Sequence, residues 1–266
     1  MHQERRTPGP IERERSSGDA MGPDPNAEAT FVPHRYEPNY AYPLLVLLHR
    51  RGGDEQQLVD AMPTMSWRNY VGLGLRGPEA LTRGGRPAGF DWGPAFRHPR
   101  RRPGPQWEEP EPSGLISRVM AGGPADPVDA IEDALFAGVR RTMRALHVHS
   151  ERIFLVGIGE GAAVAYRIGL SHPDRFAGVV AINGWIPRGF RPLARWHECR
   201  SLRILALHGL WNARAPLQDA RKDVAMLRNA GLRVGFRGYE SARAITPMML
   251  SDIDSWLIDQ CTAPVD

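Results

Sequence analysis

The stretch RIFLVGIGEGAAVAYRIG, residues 152–169, decides how the rest of the chain is read. Its first half, Arg152–Gly157, is a short apolar run of the kind found in strands buried on both faces. Its second half, from Glu160, is small and apolar and reads as a helix packed closely on its neighbours. Between the two, Gly157, Gly159 and Gly161 alternate. That spacing matches G-x-S-x-G, a strained strand-to-helix turn that exposes a nucleophilic serine, but the central residue here is Gly159. The turn is a poor phosphate loop, because it lacks both a Lys-Ser/Thr ending and dinucleotide glycine spacing.

Working outward, strands and helices alternate. PLLVLLH (43–49) is a continuous apolar run bounded by proline and by RRGGDE, and NYVGLGLRGP (69–78) holds a second strand. A helix is expected from about Val128 to His147, since Ala130, Ile131, Ala134, Leu135, Val139, Met143 and Leu146 recur at helical spacing. Strands AGVVAIN (177–183), LRILALHG (202–209) and RVGFRGY (233–239) follow, with helices near 217–230 and 247–260. This order predicts an α/β fold, a mostly parallel central sheet with helices on both faces. Residues 1–30 are rich in Pro, Gly, Arg and Glu and read as a disordered tail, with Met21 an alternative start. Residues 31–262 then form one domain, interrupted at about 82–127 by a Pro/Arg-rich surface loop.

Bulk properties narrow the function. The hydrophobic share of 42% and the charged share of 24% are those of an ordinary globular chain. No run approaches the roughly 20 apolar residues that cross a bilayer, and the N-terminus has no apolar signal core, so a cytoplasmic protein is expected. The two cysteines, Cys199 and Cys261, form no C-x-x-C pair, so neither a zinc site nor a disulfide framework is indicated. No cofactor is expected. The formal charge is +4, and Lys222 is the only lysine. The run RHPRRRPG (97–104) lacks the aromatic interleaving of a single-strand binder and reads as a solvated loop rather than a nucleic-acid surface.

A series of further motifs accompanies the glycine turn: LLHRRGGDEQQL (47–58), LRGP (75–78), GFDWG (89–93), HPDRFAGVVAINGWIP (172–187), LALHGLWNARAP (205–216) and YESARAITPMMLSDIDSWL (239–257). Together, over roughly Tyr42 to Leu257, the chain resembles the phospholipase/carboxylesterase family of α/β-hydrolases, which includes the acyl-protein thioesterases. The resemblance implies a Ser-Asp-His triad, and its three positions fall on Gly159, Asn212 and Arg243. Gly159 cannot form an acyl-enzyme, and Arg243 stays protonated and cannot be a general base. Asn212 can orient a neighbour but cannot stabilise an imidazolium that is not there.

The resemblance also implies an oxyanion hole. Its donors fall on the backbone N–H of Glu160 and of Arg51, in a loop that reads His49-Arg50-Arg51-Gly52 where the family pattern is H-G-x-G. Glu160 sits one residue past the nucleophile position, which suits a helix start better than attack. His49 and His208 read as structural residues at strand ends, and His147, His149 and His172 as helix-end or turn residues. Cys199 lies away from the elbow. Two expectations follow. One is a catalytically inactive α/β-hydrolase homologue, its partner a small molecule or a protein, whose former pocket binds a small or anionic ligand, with Arg243 and Arg51 as the anion-binding candidates. The other is an active carboxylic-ester or thioester hydrolase with a non-standard nucleophile. For Arg243, the competing expectation is a solvent-facing side chain or a pair with Glu160 or Glu240.

Overall fold

The computed structural model describes residues 27–98, 127–187 and 196–262. Its frame is a seven-stranded sheet. The strands that build it are β1 (Glu28–Phe31), β2 (Tyr42–Leu48), β3 (Val71–Leu75), β6 (Val148–Ile158), β7 (Gly178–Ile182), β8 (Arg203–Gly209) and β9 (Arg233–Tyr239). The spatial order is β1-β3-β2-β6-β7-β8-β9, with only the edge strand β1 antiparallel. The remaining strands, β4 (Glu79–Arg83) and β5 (Arg86–Asp91), form a separate hairpin.

Every residue of β2 is buried, and its side chains alternate between two cores. Leu44, Val46 and Leu48 enter one core, while Leu45 and Leu47 enter the other. β7 and β8 divide in the same way, with Val179, Ala181, Ile204 and Ala206 on one face and Val180, Ile182, Leu205 and Leu207 on the opposite one. The first face is covered by α3 (Pro127–Ala145), α4 (Glu160–Ser171) and α6 (Leu217–Asn229). The second is covered by the short α1 (Gln56–Val59) and α2 (Met62–Met65) and by the C-terminal α7 (Pro247–Thr262). A further single turn, α5 (Trp196–Cys199), precedes β8. No helix among the described residues is long and apolar enough to cross a membrane.

Two regions differ from the sequence reading. β1 starts at Glu28, inside the stretch read as a tail, and is held by pairing with β3 and by an ion pair between Glu28 and Arg141 of α3. The rest of that stretch, to residue 26, lies outside the described residues. The first part of the expected surface loop is also ordered. Gly84 and Gly85, both at positive φ, make the two-residue turn between β4 and β5. Leu81, Trp92 and Phe96 then bury their side chains. Residues 99–126 of that loop, and most of the RHPRRRPG run, lie outside the described residues.

Candidate functional site

The floor of the site is the bend between β6 and α4. Gly159 has φ +55° and ψ −115°, a left-handed conformation that L side chains rarely adopt. Its N–H donates to Ile182 O at 2.9 Å, and its carbonyl accepts the N–H of Ala163 at 3.1 Å. The flanking glycines are required by space. A Cβ on Gly157 would lie 2.3 Å from Gly161 O, and one on Gly161 would lie 2.2 Å from Leu48 O. At Gly159 the only neighbour within van der Waals reach is Arg50 Cβ, at 3.6 Å. The bend is therefore closed on both sides and open at its centre.

The second wall is the loop after β2. His49 is buried and uses both ring nitrogens: Nδ1 donates to Arg50 O at 2.7 Å, and Nε2 accepts the N–H of Gly77 at 2.8 Å. Burial, the largest influence, holds its pKa below the usual histidine range, so the neutral ring is a strut. Trp92 lies tilted against that ring and donates its indole N–H to His49 O at 2.7 Å. Hydrogen bonds from Gly52 N–H to Phe90 O and from Phe90 N–H to Gly53 O, both 2.8 Å, fasten the loop to β5.

This fastening corrects the reading of Arg51 as an anion-binding side chain at the pocket mouth. Its guanidinium turns inward and pairs with Asp91 at 3.2 Å, the two side chains being 1% and 0% exposed. Asp91 is also shared with Arg97. The backbone N–H of Arg51 has a different fate: it donates to the carboxylate of Glu160 at 3.2 Å. The donor that the resemblance assigns to an oxyanion hole is thus covered by the protein's own carboxylate, which is buried at the start of α4.

The third wall comes from the loops after β8 and β9, joined by Leu210 N–H to Tyr239 O (2.8 Å) and Trp211 N–H to Ser241 O (3.1 Å). Asn212 Oδ1 accepts the N–H groups of Arg214 and Ala215 at 3.1 and 3.3 Å, an Asx turn that holds its own loop. His208 contacts Ala215 O through Nε2 at 2.8 Å, and burial likewise lowers its pKa. Both strand-end histidines are thus structural.

Gly159, Glu160, Asn212 and Arg243 line one cleft, together with Arg50, Asn183, Trp185 and Arg214. Its cavity volume is about 30 Å³. Arg243 is half-buried and forms no salt bridge with Glu160 or Glu240. Burial pulls its pKa down most, the charges of Arg214 and Arg50 pull it further, and Glu160 opposes them. Nothing in the sequence singles out Arg50, Arg214, Asn183 and Trp185 as residues of this lining. Arg50 and Arg214 adjoin or nearly adjoin residues that it does single out, but no periodicity tells which of two loop arginines faces a cleft. Cys199 and His172 lie outside this lining: Cys199 Sγ is buried against Leu170 O at 3.4 Å, and His172 pairs with Glu132 at 2.9 Å.

Comparison with known proteins bears on the family and the fold. Residues 126–260, about half of the chain, match the family model Phospholipase/Carboxylesterase. The chain is 24% identical over 109 residues to Carboxylesterase SOBER1 of Arabidopsis thaliana, covering 40% of this chain and 48% of that protein. It is 27% identical over 93 residues to Acyl-protein thioesterase 1 of Mycosarcoma maydis, covering 35% and 39%. It spans 39–48% of the length of the curated relatives it matches. The Bacillus cereus carboxylesterase structure superposes with a TM-score of 0.59 at 16% identity, over 88% of this chain and 93% of that one, which supports the fold. The chain is a member of the phospholipase/carboxylesterase family of α/β-hydrolases.

Proposed function

We propose that this protein is a non-hydrolytic member of its family, in which the cleft over the β6–α4 bend binds a small anionic ligand. The observation that carries the reading is the make-up of that cleft. Its lining offers no hydroxyl, thiol or imidazole at Gly159, Asn212 or Arg243, and it carries three arginines. Acyl transfer needs a nucleophile, a base to activate it and donors for the developing oxyanion. Glycine and arginine cannot supply the first two. The third is compromised as well, because an incoming carbonyl oxygen would have to displace the Glu160 carboxylate from the Arg51 N–H. The reading places the protein in the cytoplasm, where Cys199 and Cys261 stay as thiols.

The test is hydrolysis of a short-chain p-nitrophenyl ester. The wild type is expected to match the buffer blank. The triple variant Gly159→Ser, Asn212→Asp, Arg243→His should gain turnover, and adding Glu160→Ala should raise it further by about 10²-fold, the worth of one oxyanion donor. Wild-type turnover that holds constant specific activity through repurification, and is lost in Glu160→Ala, would overturn the proposal in favour of a carboxylate-dependent hydrolase.

A further inference from the structure

The cleft's unmatched groups are all donors or cations. Arg50, Arg214 and Arg243 line it, and none of them takes part in a salt bridge among the described residues. Guanidinium groups brought together repel one another, and they persist in folded proteins where an anion completes them. Glu160 is the single acidic residue in the lining, and its carboxylate already accepts from the Arg51 backbone.

Two neutral groups point the same way. Asn183 and Trp185, 4% and 5% exposed, both line this cleft. The Asn183 side chain is oriented by its Oδ1, which accepts the N–H of Gly209 at 2.8 Å. Its Nδ2 is left buried without a hydrogen-bond partner, and so is the indole Nε1 of Trp185. Asn183 is also held at φ +55°, one of two non-glycine residues at positive φ among those described. Buried donors are costly to leave unmade, so two of them in the walls of one cationic cleft mark a place for acceptor atoms.

From this lining we infer that the cleft is a site for a phosphate monoester dianion carried on a small molecule. Three cations against one carboxylate leave two positive charges, which a dianion neutralises and a carboxylate only half neutralises. Three terminal phosphoryl oxygens can meet three guanidinium groups and still accept from Asn183 and Trp185. A carboxylate has two oxygens in one plane. A cavity volume of about 30 Å³ is far below that of a drug-sized ligand site, so the cleft takes at most a compact head group. Gly159 contributes by having no side chain, which leaves the floor open beneath Arg50. The start of α4 at Glu160 adds the positive end of a twelve-residue helix.

The inference rests on the non-hydrolytic reading, and its test uses the intact chain titrated calorimetrically with inorganic phosphate in a phosphate-free buffer at constant ionic strength. Saturable one-to-one binding is expected, with sulfate competing and acetate weaker by about tenfold or more, as one charge and the extra oxygens are lost. Arg214→Gln and Arg243→Gln should each weaken phosphate by about tenfold or more. Arg68→Gln, in a separate cleft, should leave it unchanged. Circular dichroism of each variant checks that the fold is retained. No saturable phosphate binding, equal affinity for acetate, or binding that survives the Arg214→Gln, Arg243→Gln double variant would each overturn the inference. Ester turnover on the same preparation separates the two readings. Its absence with no phosphate binding sinks only the phosphate site, and its presence with phosphate binding sinks only the non-hydrolytic reading.

Discussion

The floor of the cleft and its rim obey different constraints. The floor is backbone packed on backbone: Gly157 against Gly161 and Gly161 against Leu48, at distances that admit no side chain. The rim is made of side chains on loops, where Arg50, Arg214 and Arg243 crowd like charges together. The bend keeps the strained shape of a nucleophile elbow although Gly159 has no nucleophile to present. Its shape is set by how α4 sits on β2 and β6, which does not depend on the chemistry at its tip. The rim has no comparable constraint, so its residue types can change without disturbing the sheet.

The floor can be broken most severely at Gly161. Gly161→Ala should cost about 3 kcal/mol in urea unfolding, because the new methyl meets the carbonyl groups of Leu48 and His49, which cannot rotate away. Gly159→Ser should cost only about 1 kcal/mol, since space is available and the strain of positive φ is partly offset by a stiffer unfolded chain. Equal costs at the two positions would mean that the centre of the bend is packed like its flanks.

A second probe acts through the two histidine struts. His49 and His208 have pKa values lowered by burial from the ordinary value of 6.5. The unfolded chain therefore takes up protons at a pH where the folded one does not. Their contribution to stability is complete above about pH 6.5 and is lost as the pH falls from there toward the lower folded values. Urea midpoints from pH 7.5 to 5 should decline, and His49→Gln should flatten part of that decline. A pH-independent wild type would remove the histidines from the list of struts.

The same contrast explains what was legible in the sequence. The parallel sheet, both covering layers and the bend follow from alternation and helical periodicity, because burial imposes those periods on Leu44–Leu48 and Val179–Ile182. The β4–β5 hairpin carries a local signal, the Gly84-Gly85 pair between two short strands. The rim was less legible. Arg51 and Arg50 are neighbours in a turn with no period, and the direction of Arg51 depends on Asp91, forty residues on along the chain and delivered by that hairpin. Asn183 and Trp185 lie in a motif whose family likeness could be recognised, but only the end of β7 beside β8 shows that their donors lack partners.

The smallest expected effect has the opposite sign to the others. If the rim is held for a ligand, its crowded charges destabilise the empty protein. Arg243→Gln should then raise the unliganded stability by about 0.5 kcal/mol, in the manner of a binding site relieved of its function. The gain should shrink as salt is added, because screening relieves the same repulsion by another route. The direction follows from Arg243 itself: its pKa is lowered by burial first and by Arg214 and Arg50 next, so the fold disfavours its charged form and a neutral side chain suits the site better. Thermal unfolding at low and high salt checks this. A loss of stability would mean that Arg243 holds the loop after β9 in place, and the rim would then be as structural as the floor.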